Sequence, residues 1–350
     1  MMNGKRKKIL AGVVLTGFAI TSLFTGCGGG KDAAQQNANS EGPVRFVLAN
    51  SQQEGSAVAM GIDKFAELVN EKSGGSMVIE VHHGAELGSD VETTQQVQAD
   101  SLDMGTTSTD NFGVFDADVL ALSLPYVIES KNLDALYESI DNGELGDYYK
   151  KRMADINLHP LMFNEYGFRC YMSASKPIVS PKDMKDMKVR ATSSEVELAA
   201  AESLSAPAQT VAWGETYTAL SQGTVDGESN TFNALRAAKH DEVLKYAATT
   251  EHNYSMHLLV MSESKYQALT DEQKAVLDEA AAEAVVYERD VLKQQEAEAK
   301  EAFKKKGIEV VELTDEQKAE WADAMSGVYD KLVPSAISQE VVDMIKAVGN

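Results

Sequence analysis

The chain is 350 residues long and carries 54 acidic against 32 basic side chains, a net charge of −22. That balance excludes a nucleic-acid-binding surface, which needs a basic footprint. The length leaves room for two domains. With Cys27 and Cys170 as the only cysteines, no disulfide scaffold is expected.

In chain order, the first element is a targeting segment. Lys5, Arg6, Lys7 and Lys8 precede an apolar run from Ile9 to Phe24. The run is short for a membrane-spanning helix, which needs about 20 apolar residues. Phe24-Thr25-Gly26-Cys27 then reads as a lipobox, although Leu is more usual where Phe24 stands. The expectation is a signal peptide over 1–26, a lipid anchor on Cys27 and a Gly-, Asn- and Gln-rich tether over 27–43. Such a tether buries too little surface to fold and spans on the order of 20 Å.

Val44, Phe46 and Leu48 alternate as a strand, and Val58, Ile62, Phe65 and Val69 then fall on one helix face. Gly74-Gly75 ends that helix, Met77, Ile79 and Val81 form a second strand, a helix runs from Val91 to Ala99, and Leu102-Asp103-Met104 opens a third strand. This rhythm predicts a mainly parallel sheet flanked by helices. Leu158 to Ser173 is a long extended stretch suited to crossing between domains, and Tyr254 to Met261 is suited to returning. Val189-Arg190-Ala191 and Ala208 to Val211 read as second-domain strands around a Glu195 to Ser203 helix. Thr270-Asp271-Glu272-Gln273 and Thr314-Asp315-Glu316-Gln317 are capping boxes. The first opens a helix with no Gly or Pro before Gly307, on the order of 50 Å long at 1.5 Å per residue.

One spaced set carries the chemistry: Lys188-Val189-Arg190, then Trp213, Gly214-Glu215-Thr216-Tyr217-Thr218-Ala219-Leu220, then Val225-Asp226-Gly227 and Asn230. It offers a rigid guanidinium fork that matches a carboxylate, a flat apolar face suited to a sugar ring and an amide. It holds no nucleophile and no acid–base pair, so it suits capture rather than catalysis. Leu124-Pro125-Tyr126-Val127-Ile128 and Gly167-Phe168-Arg169 add to the pattern. From Val44 onward it resembles the solute-binding proteins of tripartite ATP-independent periplasmic (TRAP) transporters, the DctP family.

The resemblance implies a two-lobed α/β fold of the periplasmic-binding-protein type, each lobe a mainly parallel sheet flanked by helices, with a long helix spanning both. The first lobe would take residues 44–167 with 256–290, the second 168–255 with 308–350, and the bridging helix 270–306. It implies that Arg190 binds the solute carboxylate, with Arg169 a second arginine nearby, Trp213 packing on the solute and Asn230 beside it. The family pattern reads Val-Asp-Gly-Gln-Glu-Asn where this chain has Val225-Asp226-Gly227-Glu228-Ser229-Asn230, which puts the contacts next to Asn230 in doubt. First-lobe loops facing the cleft would be Asn50 to Glu54, Asp90, and Thr107-Ser108-Thr109 with Asn111, joined by His257 on the returning strand. His82-His83 and Glu86 match the family's second-strand loop, so no metal site is expected. No cofactor is expected either, and Cys170 reads as a buried inert thiol.

The sequence therefore points to an extracytoplasmic, lipid-anchored binding protein, not an enzyme. It would deliver a small organic acid to TRAP membrane subunits, with a sugar acid (uronate or aldonate) first and a dicarboxylate or keto acid second. A sensor presenting the same solute to a histidine kinase would use the same site, and a secreted enzyme would need an acid and base that the sequence does not offer.

Overall fold

The computed structural model describes residues 42–348; the signal segment, Cys27 and nearly all of the tether lie outside the described residues. The alternating run becomes β1 (Val44–Ala49), with Phe46 and Leu48 buried. Helix α1 (Ala57–Lys72) buries the stripe of Val58, Ile62, Phe65 and Val69. Ser56 caps its start by accepting from Ala59 N, and Gly74 and Gly75 follow its end at φ 60° and 83°, a region cheap only for residues without Cβ. Then come β2 (Met77–His82), α2 (Asp90–Gln98), β3 (Met104–Ser108) and the single turn α3 (Thr109–Phe112). After α4 (Leu133–Asp141) and α5 (Glu144–Ala154), strand β4 takes Leu158–Ser173 whole, as the sequence suggests.

The remaining sheet elements are β5 (Val189–Ala191), β6 (Ala208–Thr210), β7 (Gly227–Asn230), β8 (Tyr246–Ser262) and β9 (Glu309–Val311). Between them lie α6 (Glu195–Ser203), α7 (Trp213–Ser221), α8 (Phe232–Ala237), α9 (Glu263–Gln267) and α10 (Asp271–Lys305). The chain ends in α11 (Asp315–Met325), α12 (Gly327–Leu332) and α13 (Gln339–Val348).

The strands form one continuous sheet in the order β2-β1-β3-β8-β4-β7-β5-β6, with β9 on β8. The sequence suggests a sheet per lobe; the two are joined because β4 and β8, 16 and 17 residues long, serve both. β3 and β7 join this antiparallel ribbon in antiparallel sense; beyond them the pairings are parallel, β1 with β2 and β3 at one end, β5 with β6 and β7 at the other. The ribbon's register slips between Pro160 and Met162, Glu165 and Gly167, and Arg169 and Tyr171, and such bulges bend a strand and re-aim its side chains.

Helix α10 is the predicted long helix, and its Thr270–Gln273 capping box is formed, as is the Thr314–Gln317 box of α11. It packs on α1, on β4 and on α8. At α1 it lies so close that a Cβ on Gly61 would sit 2.6 Å from Glu288 Cγ. Two of its carboxylates hold backbone donors: Glu288 accepts from Glu165 N at 2.9 Å, and Glu296 accepts from Phe232 N and Asn233 N at 3.2 and 2.9 Å, the first turn of α8. Burial pushes Glu296 up to about 7 and Glu288 well above the carboxylate range. Glu288 Oε1 and Asn164 Oδ1 are both buried without a donor, and both flank Gly61. A protonated Glu288 has an O–H to offer, and Asn164 Oδ1, near the same glycine, is an unpaired acceptor.

The pKa of Glu288 is higher folded than unfolded, so the folded chain keeps a proton that the unfolded chain gives up. Stability from this source is full below the unfolded value near 4.5 and falls as pH rises toward the folded value. Glu288→Gln keeps a donor without the titration. It should melt with the wild type at pH 4.5 and above it at pH 8 by roughly 2 °C, the shift expected for about 1 kcal/mol in a chain of this size. A difference that does not widen with pH would sink this account of Glu288.

Candidate solute site

The site grows from the ends of short strands. β5 has three residues, all buried between β6 and β7, so Arg190 enters the interior with little room to turn. It is 2% exposed. Its Nε donates to Val211 O at 3.0 Å and its guanidinium lies 5.8 Å from the Trp213 ring centre. Among the described residues no carboxylate reaches it within salt-bridge distance. Burial pulls its pKa below the ordinary arginine value, opposed by Glu197 and Glu228 and reinforced by Arg169. A guanidinium keeps its proton regardless, so Arg190 is a buried cation without a counter-charge of its own.

Arg169 on β4 is the opposite case. Its Nη2 lies 2.7 Å from Glu197 Oε1 and donates to Ser229 O at 2.7 Å, while Nη1 reaches Asp110 Oδ2 at 3.5 Å. Asp110 also takes the Ser255 hydroxyl, and the Glu197 carboxylate accepts from Thr192 N at 2.7 Å. Burial would depress this arginine, and Glu197 and Asp110 outweigh it. The pairs tie α3, α6 and β7 together around the crossing strand. Arg169 is thus engaged by the protein itself.

Trp213 opens α7, half-buried, with its ring 4.8 Å from that of His240. Asn230 ends β7, buried, with its Oδ1 accepting from Thr231 N at 3.0 Å. At the other end of the sheet, the Asn50 amide is used inside the protein: Oδ1 accepts from Thr106 Oγ1 on β3 and from Gln52 N, and Nδ2 donates to His83 Nδ1 at 2.8 Å. Asn50 thereby orients Gln52, whose amide meets His257 Nε2 at 3.3 Å. A neutral ring accepting there carries its proton on Nδ1, which is buried without a partner. Burial holds the His257 pKa down against the pull of Asp90 and Asp110. Ser108 caps α3 through Asn111 N at 3.1 Å, and its own N–H donates to Asp90 Oδ2 at 3.1 Å. The same Asp90 oxygen accepts from Asn111 Nδ2 at 2.8 Å; Oδ1 is buried with no donor. Asn111 also reaches across, its Oδ1 accepting from Ser193 N at 3.2 Å.

Tyr166, which sequence reasoning missed, joins the two ends. Burial raises its phenol pKa; Arg169 and Arg190 lower it while Asp90 and Glu228 raise it. The four charged groups therefore act on one buried hydroxyl. It sits in the register slip between Glu165 and Gly167, and a strand with strict alternation gives no sign of such a turn. Glu197 was missed as well. Its signal was available: one acid on the buried face of the Ala-rich helix Glu195–Ser203. His82 sits between Glu80 and Glu86, and His83 links Asn50 to Asp63. Cys170 is buried and its thiol is pushed up by burial, which leaves it inert.

Residues 48–335 match the model of bacterial extracellular solute-binding protein family 7, DctP. The chain belongs to the DctP family. A C4-dicarboxylate-binding periplasmic protein, DctP of Rhodobacter capsulatus, is 30% identical over 82% of this chain and 85% of its own length. Among solved structures, a TRAP periplasmic solute-binding protein from Roseobacter denitrificans with bound β-D-glucuronate is 29% identical, with a TM-score of 0.81 over 87% of this chain and 99% of that one. One from Sulfurospirillum deleyianum with bound succinate is 27% identical, with a TM-score of 0.81 over 88% and 99%. The chain is thus an extracytoplasmic binding protein with the family's two-lobed α/β fold, and no enzyme. Among its described residues no helix is long and apolar enough to cross a membrane.

The two arginines should separate cleanly by mutation. Arg169→Ala strands Glu197 and Asp110, which should cost about 3–5 kcal/mol of stability. Arg190→Met keeps the volume and breaks no salt bridge, so its unliganded melting temperature should equal or exceed that of the wild type. Thermal unfolding of both variants measures this, and a large loss in Arg190→Met would reveal a counter-charge that Arg190 was serving.

Proposed function

We propose that this protein captures a sugar acid, a uronate or an aldonate, between two lobes and hands it to TRAP membrane subunits. The observation that carries this reading is the pairing of opposite needs around Tyr166. Arg190 is a buried cation lacking an anion, and Asp90 Oδ1 is a buried acceptor lacking a donor. A carboxylate answers the first and a hydroxyl the second. A dicarboxylate would bring its second charge toward Asp90 and Asp110, and Arg169, the other cation there, already has Glu197 and Asp110. That weighs against the dicarboxylate reading, despite the Rhodobacter and Sulfurospirillum relatives. Residues 44–167 with 256–290 would form the first lobe and 168–255 with 308–350 the second, closing because the solute touches both. Trp213 would lie on the sugar face, Asn230 beside the carboxylate, and Ser108 and His257 near the hydroxyls. Asn50 would act through Gln52. Outside the cell the protein would be held by lipid on Cys27.

A thermal-shift screen of uronates, aldonates and C4-dicarboxylates, followed by calorimetry, tests the solute. Arg190→Ala should lose about 3 kcal/mol or more of binding, over a hundredfold, and Arg190→Lys should also bind poorly because an ammonium lacks the fork. Affinity within threefold of wild type would remove Arg190 from the site. Solute should change the Trp213 fluorescence, and Trp213→Phe should abolish most of that signal, since Trp321 is fully buried in α11. For the anchor, Cys27→Ser should move the protein from the membrane to the soluble fraction; a wild type already soluble would refute lipidation.

A further inference from the structure

Glu228 is a fully buried acid on β7. It lies directly opposite Arg190 in the parallel β5–β7 pair, so the two side chains leave the sheet on the same face, on strands about 4.8 Å apart. One carboxylate oxygen, Oε1, is fixed by His240 Nδ1 at 2.7 Å. The His240 ring is itself held between Trp213 and Tyr217, at 4.8 and 6.0 Å. The other oxygen, Oε2, is buried with no donor. Glu228 acts electrostatically on Arg190, Arg169 and Tyr166, yet it makes no salt bridge with either arginine. Beside the unpaired cation there is therefore an oriented carboxyl oxygen that the protein leaves unfilled, and a buried acceptor left so costs free energy until a donor arrives.

We propose that Glu228, oriented by His240, reads the hydroxyl on the carbon next to the solute carboxylate, so that this site selects 2-hydroxy acids. The assignment rests on Arg190 holding that carboxylate. A carboxylate docked on Arg190 brings its neighbouring carbon alongside the facing residue of the next strand. A hydroxyl there donates to Oε2 while the carboxylate accepts from the guanidinium. Gln at this position would offer an NH₂ as well as an oxygen and would not demand a donor. Within the sugar acids this favours aldonates, which carry a free 2-hydroxyl, over pyranose uronates, whose corresponding carbon bears the ring oxygen.

Calorimetry on gluconate and galactonate, each beside its 2-deoxy counterpart, tests the assignment. The wild type should bind the better aldonate at least tenfold more tightly than its 2-deoxy form. Glu228→Gln should bring that ratio within threefold by weakening the aldonate alone. His240→Asn, which releases Oε1 and the ring packing but leaves the carboxylate, should lower the ratio too and serves if the first variant does not fold. Equal wild-type affinity for an aldonate and its 2-deoxy form, a ratio unchanged in both variants, or no wild-type binding of either aldonate overturns it. Arg190→Met separates the two levels. If that variant loses every acid while the wild-type ratio is flat, only the role of Glu228 falls. If it binds the aldonate as the wild type does, the carboxylate anchor falls and this inference with it.

Discussion

Bringing a guanidinium out of water costs several kcal/mol after relaxation, and this chain does so twice in one site. For Arg169 the cost is offset inside the protein, by Glu197, Asp110 and the Ser229 carbonyl. For Arg190 it is not: among the described residues one backbone carbonyl and an aromatic face meet it, and Glu197 and Glu228 act on it only from beyond salt-bridge distance. The first arginine can hold elements together because it is satisfied. The second can hold a solute because it is not. A chain with an excess of acids has carboxylates to spare, so leaving Arg190 without one is a property of the fold and not of supply. The overall negative field also works against any anion approaching from solvent, and only a local, desolvated cation overcomes it.

The scaffold gives that asymmetry its geometry. Short parallel strands deliver single side chains to the interior: Arg190 from β5, Glu228 and Asn230 from β7. The long antiparallel ribbon of β4 and β8 lies between the two parallel ends of the same sheet and carries Arg169 and His257. Its register slips place Tyr166 out of strict alternation, among the charged groups it shares. What looks like irregular pairing is what lets both ends of the sheet act on one point.

Much of this was legible in the sequence, element by element. β1, the α1 stripe, the full length of β4 and both capping boxes follow from local periodicity and end chemistry. β8 was read only from Tyr254, because Thr249, Thr250, His252 and Asn253 are buried polar residues that break the apolar pattern. Distant partners engage the first three: Thr249 accepts from Leu313 N, Thr250 accepts from Tyr171 N and His252 meets Ser229 Oγ, which no local rule reports. Arg190 and Trp213 were legible through motif spacing. The pairing of Arg169, the internal use of the Asn50 amide and the presence of Tyr166 and Glu197 were not, since each depends on partners more than twenty-five residues away in the chain or on a bulge.

Helix α10 grips the ribbon at Glu165 through Glu288 and the first turn of α8 through Glu296. At 1.5 Å per residue those two grips are about 12 Å apart on a rigid rod. A rod clamped at both points neither lengthens nor shortens, so the spacing between the crossing strand and the start of α8 is set by the helix. Any opening of the molecule is then a swing around a spacer of fixed length. The strand that ends at Asn230, immediately ahead of α8, is the part of the candidate solute site whose position that spacer dictates.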